Sequence, residues 1–373
     1  MINENKDIRN TTSFAEIVDC IQTKIYGDTP ENLVNFFSEL PKDKFHDYFR
    51  VVAVPFLFHK TESIFKSNQE PKVLFINALK ELEVATAGLI QNKDVQTVFI
   101  NSFEYSDNED FKEEVKSHTG QHYGNLFKEF NQKSYFEEAK NLLQTRLERN
   151  GIEIQNKENL VLLDQGCGGG RYTTAWKLLG IKKAVGIDFS DIGLQDARAR
   201  AETAQIKDIE FIKGSVLEMP FEDEMFDIVY SNGVLHHTED WRKGITEQLR
   251  VMKKGGFGWQ YLIENPGGIF WDNIEILRAI LKEVNKKFAQ DIMRSLGIPM
   301  NRVFYMLDHV MVPINTRLTP KELELELEKN GAVNIKRLTR GTDFDRVEAL
   351  YQDIPYAKEK FGVGENRFVF NKE

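Results

Sequence analysis

With 373 residues the chain is long for one domain and comfortable for two. A net charge of -9, with 29% charged residues, fits a soluble surface and argues against a protein that wraps nucleic acid, which needs a basic face. The two cysteines, Cys20 and Cys167, suit a reduced, cytoplasmic protein, because Cys167 lies inside a glycine loop where a disulfide would block a ligand.

The first residues, MINENKDIRN, have neither an apolar core nor an arginine-rich amphipathic pattern, so no targeting segment is expected. SFAEIVDCIQTKIYG, ENLVNFFSEL and SYFEEAKNLLQTRLERNG then read as helices with Phe, Tyr and Leu on their apolar faces. The most apolar run, Tyr48 to His59, is too short for a bilayer, is interrupted by Arg50 and Pro55, and is expected in a core; no membrane association is expected. SHTGQHYGNLF, residues 117–127, combines two histidines, two glycines and an aromatic, an unusual mixture for a plain helix. Residues 1–150 are thus expected to form a mainly helical N-terminal or lid domain.

From Leu160 the pattern changes. LVLLD is a short buried strand, and RYTTAWKLLG (Arg171 to Gly180) a helix ended by glycine. AVGIDFS is a second strand, after which Ser190 can cap a helix over Asp191 to Ala204. IEFIKG and FDIVYSNG are strands three and four, Trp241 to Gly256 a helix, and FGWQYLIEN a fifth strand. An insert at about residues 266–317 then reads as helical, with Phe270, Ile274, Leu277, Leu281 and Val284 on one apolar stripe. A helix over Pro320 to Gly331 and two late strands, Val333 to Thr339 and Arg367 to Asn371, finish the chain. The alternation predicts an α/β fold over 151–373: a doubly wound, mostly parallel seven-stranded sheet with helices on both faces and a helical insert after the fifth strand.

The glycine loop after the first strand reads Asp164, Gly166, Gly168, Gly170. A nicotinamide fingerprint has its own spacing, G-x-G-x-x-G, and binds a pyrophosphate, which a carboxylate at Asp164 would repel. A ligand with an ammonium group and no phosphate would favour Asp164, and S-adenosylmethionine (SAM) is such a ligand. Asp188, 22 residues after Gly166, ends the second strand where a carboxylate can accept both ribose hydroxyls.

LLDQGCGGG, GIDFS, GSVLEMPFEDEMFDIVYSNGVLHH and LRVMKKGG together resemble successive motifs of the class I SAM-dependent methyltransferases, particularly the ubiquinone/menaquinone-methylase-like group. The resemblance covers Leu160 to about Asn265. It implies Asp164, Gly166 and Gly168 at the methionine end of the cofactor, Asp188 with the neighbouring Phe189 at the ribose, Ser215 and Val216 at the adenine, and Asn232 at the inner edge. The family often has Gly-Asp-Ala after the third strand; GSV here leaves the adenine contact to Ser215 or to backbone. A segment before the first strand often folds over the cofactor in this family, which makes His122 and Tyr123 candidates for closing the site, Tyr123 on the cofactor and His122 on the acceptor.

Methyl transfer to a hydroxyl needs a base, and histidine is the usual one near neutral pH. His237, with His236 beside it, follows the fourth strand at the carboxyl edge of the sheet, where such folds bind ligands. Glu264, Trp271, Tyr305, Asp308 and His309 are candidate acceptor contacts on or beside the insert. From Asn265 to Arg317 there are five acidic and seven basic residues, a slight excess that points to an anionic small-molecule acceptor. No HExxH or paired CxxC calls for a metal. O-methylation of a small molecule is therefore expected. The alternatives are transfer to N or C, a nucleic-acid or protein acceptor, and a SAM-binding module without chemistry; the position after the fourth strand reads SNGV, not the Asp/Asn-Pro-Pro-aromatic motif of amino-directed DNA enzymes.

Overall fold

The computed structural model describes residues 25–102 and 132–373. Cys20, His122 and Tyr123 lie outside the described residues. Contacts divide the described residues into two compact units, one from the ranges 1–112, 266–312 and 353–362, the other from 113–265, 313–352 and 363–373. The insert thus belongs with the N-terminal helices. Among the described residues no helix is long and apolar enough to cross a membrane.

The second unit holds a seven-stranded sheet. Its strands are β1 (Val161–Gln165), β2 (Lys183–Asp188), β3 (Ile209–Lys213), β4 (Phe226–Asn232), β5 (Met252–Leu262), β6 (Ala332–Arg337) and β7 (Asn366–Lys372). They lie in the order β3-β2-β1-β4-β5-β7-β6. The first five are parallel, whereas β7 runs antiparallel to both β5 and β6. Because alternate side chains face opposite sides of a strand, Leu162, Ala184 and Ile228 pack with Trp176 and Trp259 on one face, while Leu163, Val185 and Val229 pack with Leu235, Ile245 and Phe370 on the other. The chain leaves β1 for β2 on one side and returns to β4 on the other. This reversal opens a crevice at the carboxyl ends of the central strands.

Most expected elements form within a residue or two. Ser190 caps the helix Asp191–Thr203, accepting a hydrogen bond from Gly193 N–H at 3.3 Å. One expectation is corrected. The helix beginning at Trp241 stops at Val251, and Met252 to Gly256 are already strand. Met252 pairs with Phe226, and a register irregularity between Phe226 and Ile228 absorbs the Lys-Lys-Gly-Gly run. Lys253 also reaches Asp227 at 2.8 Å. The glycines that look like a helix stop instead build a bulge in a long strand.

In the helical unit the apolar run Tyr48 to His59 lies within the helix Lys44–Lys66 and buries Phe49, Val51, Ala53, Val54, Leu57 and Phe58. The insert is three helices, Gly268–Ile280, Lys286–Ser295 and Met300–Met311. Of its predicted stripe, Ile274, Leu277, Leu281 and Val284 are buried. Tyr26 donates a hydrogen bond to the buried Asp272 at 2.8 Å, closing this unit from the N-terminal side.

Long-range ion pairs tie the ends of the sheet unit together. Asp345 receives two parallel bonds from Arg146, Nε at 2.8 Å and Nη2 at 2.9 Å, and a third from Arg367 at 3.1 Å. All three side chains are buried. Burial alone would raise the Asp345 carboxyl, but Arg367 and Arg146 hold it far below the usual carboxylate range. Removing one partner of a buried pair strands the other charge, so Asp345→Ala is expected to cost about 3–5 kcal/mol in urea unfolding. A depressed folded-state value also means that the wild type keeps this contribution above about pH 4 and loses it as the pH falls below that, whereas the variant lacks the acid-sensitive part.

Candidate active site

The turn after β1 is built from backbone bonds and needs a glycine at Gly166. Gly166 and Cys167 both donate to the Ile187 carbonyl at the end of β2, at 2.8 and 3.0 Å. Gly166 has φ +81°, and a Cβ there would fall 2.2 Å from Val234 Cγ1. A Cβ on Gly193 would meet the Gly168 carbonyl at 2.8 Å, so the helix Asp191–Thr203 also sits against the loop. Asp188 then fixes the loop from β2. Its Oδ2 accepts Gly168 N–H at 2.8 Å and its Oδ1 accepts Ser190 N–H at 2.9 Å. From the segment ahead of β1, the buried Tyr135 hydroxyl donates to the Gly169 carbonyl at 2.6 Å.

These elements enclose a cavity of about 380 Å³ at the carboxyl edge of the sheet. Its size suits a small molecule or cofactor. Asp164, Gly166, Gly168, Asp188, Phe189, Ser215, Val216 and Asn232 all line it, and so does His237. The structure therefore brings the described cofactor candidates to one place. Ser215 Oγ accepts Leu217 N–H at 3.2 Å, a local turn bond that occupies part of its capacity.

The sequence reading missed Arg171, Tyr172, Tyr230, Glu239 and Ile314, which also line the cavity. Arg171 and Tyr172 had a usable signal, since they follow the glycine loop and open its helix. Tyr230 sits two residues before Asn232 on β4, but its burial and Val-like context read as core. Ile314 had no local signal.

The cavity wall is rich in carboxylates. Asp164 is buried, and desolvation pushes its carboxyl up to about 7, helped by the nearby Asp188 charge and opposed by the Thr173 hydroxyl, which donates to its Oδ2 at 2.6 Å. Burial also raises the Asp188 carboxyl, although its backbone donors oppose this. Burial and both carboxylates push the Cys167 thiol well up, so it stays protonated and unreactive. An ammonium group entering the cavity would relieve the Asp164 desolvation. Asp188 uses one bond per oxygen and keeps acceptor capacity for hydroxyl donors. The residues present therefore fit an amino-acid-bearing nucleoside and oppose a pyrophosphate.

Two side chains have their hydrogen-bond roles assigned by their neighbours. His237 Nδ1 lies 2.8 Å from the Ile314 carbonyl, which can only accept, so Nδ1 carries the proton and Nε2 keeps its lone pair in the neutral ring. Asn232 Oδ1 accepts the Trp259 indole N–H at 3.1 Å, which leaves its amide N–H groups as donors.

The other candidates sit elsewhere. His236 is buried beside His237, with ring centroids 4.1 Å apart, and does not line the cavity. Glu264, expected among the acceptor contacts, is wholly buried and ion-paired with Arg346 at 2.8 Å. Its pairing with Arg346, just past the end of β5, occupies that charge. Trp271, Tyr305, Asp308 and His309 belong to the helical unit; Trp271 and Tyr305 pack on the His309 ring at 5.6 and 4.8 Å. Asp308 lies near the half-buried Lys286, whose ammonium is lowered to about 8 by desolvation. Among the described residues no group of three or more His, Cys, Asp or Glu side chains is placed to hold a metal ion.

Residues 163–259 match the family model described as methyltransferase domain. This stretch is a class I SAM-dependent methyltransferase domain. Demethylmenaquinone methyltransferase of Bacillus cereus is 36% identical over 96 residues, which is 25% of this chain and 40% of the relative. The same enzyme of Bacillus anthracis is 37% identical over 98 residues, again 25% and 40%. The chain thus spans about two fifths of the length of the curated relatives it matches. Among solved structures, geranyl diphosphate C-methyltransferase of Streptomyces coelicolor is 15% identical at a TM-score of 0.39, covering 64% of this chain and 79% of that one. The YcgJ protein of Bacillus subtilis is also 15% identical at 0.39, covering 64% and 99%. The methyltransferase domain takes in the glycine loop, Asp188 and the two histidines, and leaves the N-terminal helices and the insert outside the match.

The Asp164 value sets a pH dependence for cofactor binding. Below about pH 7 the free protein holds a proton on Asp164 that an incoming ammonium must displace. SAM affinity is expected to be about tenfold weaker near pH 6 than near pH 8, and Asp164→Asn should flatten this dependence. Calorimetry at the two pH values reads it directly.

Proposed function

We propose that the chain transfers the methyl group of SAM to a hydroxyl oxygen of a small-molecule acceptor, with His237 as the base. The observation that carries this reading is the assigned His237 tautomer: the imidazole lines the cofactor cavity and its Nδ1–H is fixed on the Ile314 carbonyl, which makes Nε2 the ring's acceptor. Asp164 would hold the ammonium of SAM, Asp188 the ribose hydroxyls, Gly166 and Gly168 the close backbone approach, and Val216 with the Ser215 turn the adenine. When bound, SAM supplies an electrophilic methyl on a sulfonium, and loss of that methyl leaves a neutral thioether.

The residues of the chain do the rest. His237 Nε2 accepts the hydroxyl proton as the new O–CH3 bond forms and the S–CH3 bond breaks, and the imidazolium that results keeps its Nδ1–H bond to Ile314. Asn232, whose amide oxygen accepts the Trp259 indole N–H, would offer its amide N–H groups to an oxygen in the cavity. Such positioned proton transfer contributes about 10²–10⁴-fold in typical enzymes. The matched relatives' name, demethylmenaquinone methyltransferase, favours a second reading with a quinone-class acceptor. There too His237 would take the proton the acceptor loses.

The test measures release of S-adenosylhomocysteine against a panel of hydroxyl-bearing acceptors. His237→Ala is expected to lower kcat by about 10²–10⁴-fold while leaving SAM affinity as in the wild type. Unchanged turnover would place the base elsewhere.

A further inference from the structure

We infer that Tyr172 and Tyr230, backed by Arg146, form an anion subsite in the cavity wall that takes the α-carboxylate of the cofactor's amino-acid end. The inference rests on the SAM reading above and adds residues that the glycine-loop motifs do not contain.

The Tyr230 hydroxyl is the first observation. Its side chain is fully buried, it lines the cavity, and its oxygen has no hydrogen-bond partner among the described residues. A buried hydroxyl left without a partner is costly, so such a group in a cavity wall points to a polar ligand atom.

Tyr172 is the second. It lines the same cavity, with its ring centroid 5.7 Å from that of Tyr230. Arg146 Nη1 donates to its hydroxyl oxygen at 3.0 Å. That bond uses the oxygen as an acceptor and leaves the phenol's own proton to be donated. Arg146 cannot turn away, because its Nε and Nη2 are both committed to Asp345. Burial would raise the Tyr172 phenol, but the Arg146 and Arg171 charges outweigh it and hold the phenol below its ordinary value. A more acidic phenol is a stronger donor toward an anion. In this arrangement Arg146 is a positioning residue and Asp345 fixes it.

The location decides which anion. Tyr230 is the register partner of Asp164 on the neighbouring strand. Tyr172 adjoins Thr173, whose hydroxyl donates to Asp164. The two phenols therefore flank the carboxylate that would hold an ammonium. An α-amino acid presents an ammonium and a carboxylate on one carbon, and this wall offers a carboxylate and two phenol donors side by side. A nucleoside alone would use neither.

The experiment titrates three thioether ligands into the full-length protein: S-adenosylhomocysteine, its decarboxylated analogue, and 5′-methylthioadenosine, which lacks the amino-acid end. Tyr172→Phe and Tyr230→Phe should each weaken S-adenosylhomocysteine by about tenfold, the scale of one hydrogen bond to a charged group. Neither variant should change the affinity for the decarboxylated analogue or for 5′-methylthioadenosine. Conservative Tyr→Phe changes keep both rings, and an unchanged 5′-methylthioadenosine affinity reports an intact fold. Equal losses for all three ligands, or no loss for S-adenosylhomocysteine, would overturn the subsite while leaving the cofactor reading standing. A wild-type protein that binds none of the three would overturn both.

Discussion

The site depends on one carboxylate. Asp188 sits at the end of β2 and accepts two backbone N–H groups, one from the glycine loop after β1 and one from the turn that starts the next helix. Together with the Ile187 carbonyl, which accepts Gly166 and Cys167, it locks the loop to the neighbouring strand. The loop can then stay tight enough for its glycines to leave room beside the sheet. The same carboxylate lines the cavity, so the group that shapes the loop is also the group that would read the ribose. Losing it would disturb the frame and the contact together.

Charge balance separates the two halves of this site. The sheet unit neutralises its buried charges internally: Asp345 with Arg146 and Arg367, Glu264 with Arg346. Among the described residues Asp164 has no such cation, and burial lifts its carboxyl towards neutrality. A buried acid held in that state is unfavourable in the free protein and becomes favourable when a positive ligand arrives. Such a wall would favour a cationic, phosphate-free ligand over a dinucleotide, although both ligand classes use a glycine turn at this edge of such a sheet.

What could be read from the sequence follows from the range of each signal. The strands, their helices and the glycine loop carry local patterns, and Asp164, Asp188 and His237 stand at fixed places within them. The Lys-Lys-Gly-Gly run misled because its local preference for ending a helix lost to strand pairing with Phe226. Glu264 misled because a charge near a strand end looks available until its partner Arg346 is known. Tyr172 and Tyr230 were silent for a different reason. Their meaning depends on Arg146 and Asp345, which meet across 199 residues of sequence. The Ile314 carbonyl that assigns the His237 tautomer comes from 77 residues away. The residues outside the family match, where acceptor choice would be made, carry no comparable pattern.

The central claim is that this cavity takes SAM through Asp188 and refuses a dinucleotide. The direct measurement is calorimetric titration of SAM and of NAD into the wild type and into Asp188→Ala. The account predicts that the wild type binds SAM and not NAD, and that Asp188→Ala loses SAM affinity. Binding of NAD without SAM, or full SAM affinity in Asp188→Ala, would contradict it.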